Sequence, residues 1–228
     1  MNSIPTYCRT KLAAILLTTV VIFGLHQAKA DFMSTLNAPN DALTPFTGPY
    51  GFVTVHLVDS THAIVTFSSN TVNGNIYLLG GAQGTDLNIN GSATASNFTF
   101  SQAGQTNFLV PSVVGQSSQN VNGHGTFDLS IDYFNGFKHA FNSVTFDLTA
   151  AGGTTWSSAN NVLEANSLGF DAAAHIFVTT VPPNGNNTAL ATGFAGENGA
   201  SVPDSGATAM FMGLGLTALG LVRRFLIG

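Results

Sequence analysis

Charge is what this sequence has least of. Only 7% of its 228 residues are charged, against the ~25% of an ordinary soluble domain. Lysine and arginine number six, and five of them sit at the ends: Arg9, Lys11 and Lys29 near the start, Arg223 and Arg224 near the finish. Lys138 is left as the single Lys or Arg between Asp31 and Gly206. That interval holds all eleven acidic residues and has a formal charge of −10. Such a surface repels phosphate backbones, which excludes nucleic-acid binding.

Cysteine is nearly absent too. Cys8 is the only one, and it lies in an N-terminal segment with the form of a cleaved secretory signal. Loss of that segment leaves a chain with no disulfide, no thiol nucleophile and no thiolate metal site. The fold must then rest on packing and hydrogen bonding. Material for a core is plentiful, with 18 Phe among residues that are 44% hydrophobic, so wholesale disorder is excluded and one domain is expected.

The signal reading rests on three features. Arg9 and Lys11 form a basic start, and Leu12–Leu25 is an apolar stretch broken only by Thr18, Thr19 and Gly24. Ala28-Lys29-Ala30 then supplies a small-x-small cleavage site. The apolar stretch is short for a membrane span, which favours cleavage over anchoring and makes Asp31 the mature N-terminus. The partners implied are a secretion translocon and a signal peptidase, with Ala28 and Ala30 marking the cut.

Residues 31–196 read as the folded domain. Asp31–Gly48 has few periodic positions and reads as an irregular lead-in. Alternation dominates from Tyr50: Val53, Val55 and Leu57; Ala63, Val65 and Phe67; Leu87 and Ile89; Phe127, Leu129, Ile131 and Tyr133; Val144, Phe146 and Leu148. Each set predicts a half-buried strand. Asp59-Ser60-Thr61 suits a hairpin loop, His175–Thr180 gives a further strand, and Gly193-Phe194-Ala195 a last one. Val162–Leu168 fits either a helical turn or an edge strand. Asn-Gly pairs at 73, 90, 122, 135 and 184 punctuate the gaps. Seven to ten short strands predict an all-β domain, an antiparallel β-sandwich or jelly roll. No fixed-period repeat is present, which disfavours a propeller or solenoid.

Candidate chemistry within the domain is thin. Asp128 and Asp132 share a strand face, but four residues on a strand span ~13 Å, more than the ~5–9.5 Å between paired glycosidase carboxylates. His56 and His62 are placed to meet across the first hairpin, and His124 and His139 across a longer connection, yet no HxH or HExxH spacing accompanies them. Gly80–Leu87 has a faint likeness to a glycine-rich calcium repeat but occurs once, so a turn plus a strand is the better reading. No cofactor is expected; calcium held by loop carboxylates is the one that an acidic exported domain leaves open. Ser157 and Ser205 lack a GxSxG context. Trp156, Tyr50 and Tyr77 would stack on sugar rings if they clustered on one face, while Tyr133 belongs to the apolar register of its strand.

The C-terminal end carries the sharpest signal. Glu197–Ser201 reads as a flexible spacer, followed by Val202-Pro203-Asp204-Ser205-Gly206. Ala207–Val222 is wholly uncharged and would make a helix of ~24 Å, a little short of a ~30 Å hydrocarbon core. Phe225–Ile227 and snorkelling of Arg223 and Arg224 cover the deficit. The arginine pair forms a basic stop that belongs on the cytoplasmic side, leaving the domain outside. Pro203 biases Val202 toward extended geometry, and Asp204, Ser205 and Gly206 are turn residues, so the five-residue segment has the exposed, extended shape that a processing enzyme needs.

This order of motif, apolar helix and basic cluster resembles the PEP-CTERM family of bacterial sorting signals, in its VPDSG variant. The resemblance covers about the last 28 residues. It departs from the pattern in a rather short helix and in the four residues after Arg224. It implies a didermic, exopolysaccharide-producing source and an exosortase-type membrane enzyme as partner. The organisation expected is a signal peptide over 1–30, the β-domain over 31–196, spacer and motif over 197–206, and a transmembrane helix over 207–228. The protein is then exported, anchored transiently in the inner membrane, and passed to the cell surface or extracellular matrix. Its expected role is that of a non-enzymatic surface or matrix protein. A carbohydrate-binding module contacting exopolysaccharide is the alternative, and a secreted hydrolase with carboxylates assembled by the fold is third.

Overall fold

The computed structural model describes residues 31–197 together with 202 and 203. The segments read as signal peptide and transmembrane tail, with Asp204–Gly206, lie outside the described residues. Among the described residues no helix is long and apolar enough to cross a membrane. Strand accounts for 53% of the described residues and helix for 4%, so sheet alone must bury the apolar side chains. The only helical pieces described are 3-10 turns at Phe137–His139 and Ala159–Asn161.

In chain order the strands are β1 (Phe32–Pro39), β2 (Gly51–Leu57), β3 (His62–Ser69), β4 (Thr71–Val72), β5 (Asn75–Leu79), β6 (Thr85–Leu87) and β7 (Ala93–Ser101). They continue with β8 (Val113–Val121), β9 (Gly125–Tyr133), β10 (Ser143–Ala150), β11 (Ala172–Thr180), β12 (Ala191–Glu197) and β13 (Val202–Pro203). One sheet holds them in the order β7-β10-β3-β2-β1-β12-β11-β6-β9-β8, and every neighbouring pair is antiparallel. β5 extends the β6 side of β11, with β4 hairpinned to it, and β13 lies against the start of β1.

The sheet curls until its terminal strands β7 and β8 almost meet, a nearly closed barrel rather than the expected sandwich or jelly roll. The reason for the difference is physical. Period-two alternation marks one buried face per strand, and that face looks the same in a sandwich and in a barrel. Strand order, which separates the two, leaves no trace in the alternation.

Inward positions fill the barrel. Val53, Val55, Leu57, Ala63, Val65, Phe67, Val144, Phe146 and Leu148 are all buried, as are Leu129, Ile131 and Tyr133. These are the residues that alternation picks out. The lead-in expected over 31–48 is corrected: Phe32–Pro39 is a strand paired with both β2 and β12. Its inward set is Phe32, Ser34 and Leu36, and a serine at the middle inward position hides the alternation. Glu197 likewise belongs to β12, opposite Leu36, rather than to a spacer. Val162–Leu168 forms neither a helix nor a strand: a 3-10 turn ends at Val162, and Leu163 makes a lone bridge to Ile89.

β11 is buried on both faces. Ala172, Ala174, Ile176 and Val178 face the barrel core, while Phe177 joins Ile76, Leu78 and Ala140 in a second apolar layer outside it. Ala173 joins Val121 and Phe127 in a third. Gly84 is required where the chain crosses toward β6, because a Cβ there would run into the Tyr133 ring. This close approach is the structural use of the glycine-rich stretch 80–84.

Strict antiparallel pairing sorts the connections onto two ends. The chain enters β1 and leaves β12 at one end. The opposite end collects the β1–β2, β7–β8, β9–β10 and β11–β12 connections. Lys138 sits there, exposed in the 137–139 turn, with its carbonyl accepting the Leu109 N–H at 2.8 Å.

Candidate functional site

The five-residue processing motif begins inside the sheet. Val202 lies opposite Met33 and Pro203 opposite Phe32, in antiparallel register along β1. Both residues are extended. Ala28, Ala30, Asp204, Ser205, Gly206, Arg223 and Arg224 lie outside the described residues.

The histidines that the sequence allowed to meet in pairs are each engaged elsewhere. Register sets His56 opposite Ile64 and His62 opposite Thr149. His56 Nδ1 is 2.5 Å from the Asp31 carboxylate, and His62 Nε2 is 3.4 Å from Asp147. The Asn97 amide and then His62 hold the Asp147 carboxyl below the usual carboxylate range. His124 and His139 are separated by the length of β9. His124 is buried against Gly196 and Phe170, with Nε2 2.9 Å from the Ala38 carbonyl. His139 packs on Phe134 at 4.5 Å between ring centres. Among the described residues no group of three or more His, Cys, Asp or Glu is placed to hold a metal ion.

The aromatics considered for sugar stacking are not on the surface: Tyr50, Tyr77 and Trp156 are each at most 2% exposed, and Tyr133 is in the core, as its register implies. Tyr50 and Tyr77 pack at 5.0 Å and donate their hydroxyls to the carbonyls of Phe46 and Thr47, both at 2.6 Å, which pins the β1–β2 connection. Burial pushes both phenols up. Tyr133 hydrogen bonds with the Thr85 hydroxyl at 2.7 Å, and Trp156 donates to the Asn90 carbonyl at 3.0 Å. Composition cannot tell an interior aromatic with a satisfied polar end from a binding aromatic.

Asp128 is exposed, whereas Asp132 accepts the Gln83 N–H at 2.7 Å and the Gln119 side-chain amide at 2.8 Å. The two carboxylates therefore do different jobs. A hollow of about 360 Å³ is lined by Pro39, Asn40, Asp41, Ala42, Asn122 and Gly123. It holds one carboxylate and no base opposite it.

Two titratable groups stand out that sequence reasoning passed over. Asp86, at the centre of β6, is fully buried; the Ser130 hydroxyl donates to its Oδ1 at 2.5 Å, and Oδ2 has no partner. Burial pushes this carboxyl well above the usual range, with the Ser130 bond opposing and the nearby Asp132 charge adding. His175, on the outer face of β11, lies between the rings of Phe177 and Phe194 at 4.8 and 4.7 Å. Its Nε2 is 2.6 Å from the Thr192 hydroxyl, while Nδ1 is buried against Gly81. Burial lowers this imidazole to about 4, the Gly80 backbone opposing. Neither residue lines the hollow at Asn40 and Asn122. The available signal was positional: Asp86 stands beside inward-facing Leu87 in a short strand, and His175 alternates with Ala174 and Ile176.

No family model, no curated protein and no solved structure matches this chain.

Proposed function

We propose that this chain is an exported, non-enzymatic surface or matrix protein whose β-domain is held at the membrane by its C-terminal tail and then sorted by an exosortase-type enzyme. The observation that carries the reading is the tail itself: Val202–Gly206, an uncharged run over Ala207–Val222, and the Arg223-Arg224 stop. Positive charge beyond an apolar run stays in the cytoplasm, which leaves the domain outside. Chain direction is compatible with this, since entry to β1 and exit from β12 lie at one end of the barrel and the larger connections at the other. Among the described residues, Tyr50, Tyr77, Tyr133 and Trp156 are interior, and Asp128 is exposed while Asp132 is held by Gln83 and Gln119; neither observation favours the carbohydrate-binding or the hydrolase reading.

The deciding experiment is mass spectrometry of the native protein's C-terminus. Loss of everything beyond the motif region is expected, and an intact Gly228 in the mature surface-located protein would overturn sorting. Deletion of 207–228 is expected to release a folded, secreted β-domain. Aggregation with loss of β-type circular dichroism would instead assign the tail to the domain's core.

A further inference from the structure

Asparagine followed by glycine can close on itself. The glycine nitrogen attacks the asparagine Cγ, a succinimide forms, and ammonia leaves; water then opens the ring to aspartate or isoaspartate. The reaction needs the nitrogen close to Cγ, a side chain free of other bonds and access to water. Five Asn-Gly pairs lie among the described residues, and the fold treats them differently.

Asn90 is half-buried, gives its side-chain amide to the Asn161 carbonyl at 3.0 Å, and accepts from Trp156 on its main-chain oxygen. Asn184 accepts from Asn107 and Asn186 on Oδ1, and the Gly185 nitrogen donates to the Thr106 carbonyl at 2.8 Å. Asn73 sits at φ 51° in the two-residue turn between Val72 and Asn75, a paired couple. Asn122 is in a turn closed by His124 N–H to Val121 at 2.9 Å, and its main-chain oxygen is 3.1 Å from the His124 ring. Asn135 differs from all four. Like Asn73 and Asn122 it is exposed, but here the Gly136 N–H points at its own Oδ1, 2.8 Å away. Oδ1 is bonded to Cγ, so the attacking nitrogen already lies against its target carbon.

We propose that Asn135-Gly136 is a built-in modification site, where the chain converts asparagine to aspartate and isoaspartate without an enzyme. The Gly136 nitrogen loses its proton and bonds to Cγ. The Cγ–Nδ2 bond breaks, and Nδ2 departs as ammonia carrying that proton. One water then restores an open chain. The product places a carboxylate three residues from Lys138, the sole Lys or Arg of the domain. Its isoaspartate form lengthens the backbone by one carbon where Gly136 leads into the 137–139 turn.

The test is alkaline incubation of the purified native protein, with peptide mapping of these five described Asn-Gly sites for the mass gain of amide to acid and for isoaspartate. Asn135 is expected to convert several-fold faster than the other four, with both products present. In concentrated urea the five rates are expected to converge, since the geometry is then gone. Equal or faster conversion of Asn73 or Asn122 in the folded protein would overturn the proposal. So would no conversion at Asn135, or a lead at Asn135 that persists in urea.

Discussion

Gln116 on β8 offers its side-chain amide to the backbone of Ala95 on β7, accepting from its N–H at 3.3 Å and donating to its carbonyl at 3.0 Å. A side chain thus stands in for a peptide group at the seam where the barrel fails to close. Elsewhere β7 is blunted by a register break near Asn97, which sits at φ 56°. β8 carries two further breaks. Open edges are thereby kept from pairing with other chains.

Gln116→Ala should open this seam. It strands the donor and acceptor of Ala95, which is 7% exposed, at a cost of ~1–3 kcal/mol. Thermal unfolding should shift down, and amide exchange at Ala95 should accelerate more than at Val65 in the barrel interior. Unchanged exchange at Ala95 would show that the seam holds without the bridge.

Asp86→Asn should stabilise the domain at neutral pH. The folded carboxyl is raised, so its contribution is fully present below the unfolded value of ~3.9 and is lost as pH rises from there toward the folded value. The variant removes this loss. Its gain over the parent in melting temperature should therefore be larger at pH 7 than at pH 4, and a gain independent of pH would refute the assignment.

His175 gives the opposite slope. Its imidazole is depressed to about 4, so the stability it contributes is full above the unfolded value of ~6.5 and is lost as pH falls from there toward 4. The loss amounts to ~3 kcal/mol. Between these limits Asp86 and His175 work against one another. Proton resonances of the His175 ring should stay unmoved from pH 8 to 5.5, and His175→Leu should flatten the acid side of the stability curve.

Gly84→Ala drives a methyl into the Tyr133 ring. Overpacking of this kind costs ~1–3 kcal/mol. The Tyr133–Thr85 hydrogen bond should be disturbed with it, which near-ultraviolet circular dichroism would register.

The parts of this fold that could be read from the sequence are the strands with a strict apolar register. Phe127–Tyr133 and Val144–Leu148 are the best examples. β1 was hidden by Ser34, an inward residue that is polar. β7 and β8 were hidden by their Ser, Thr, Asn and Gln content, which reads as loop and belongs to strands with little to bury. The curl of the sheet toward a barrel was illegible because strand order leaves no trace in the alternation. The candidate site suffered the reverse problem: Tyr50, Tyr77 and Trp156 are residue types that binding surfaces favour, but their hydroxyls and indole nitrogen are spent on carbonyls inside the domain.

The position of Lys138 has a practical consequence for anyone looking for this protein. Trypsin cuts after lysine and arginine, and between Asp31 and Val222 only this bond qualifies. Its carbonyl is tied to Leu109 inside a folded turn, so the native domain should pass through digestion whole. Once unfolded it should yield two fragments too long for routine peptide detection. Surveys that rely on that protease would overlook the protein even where it is abundant, and cleavage at its many Phe, Leu and Tyr residues would bring it into view.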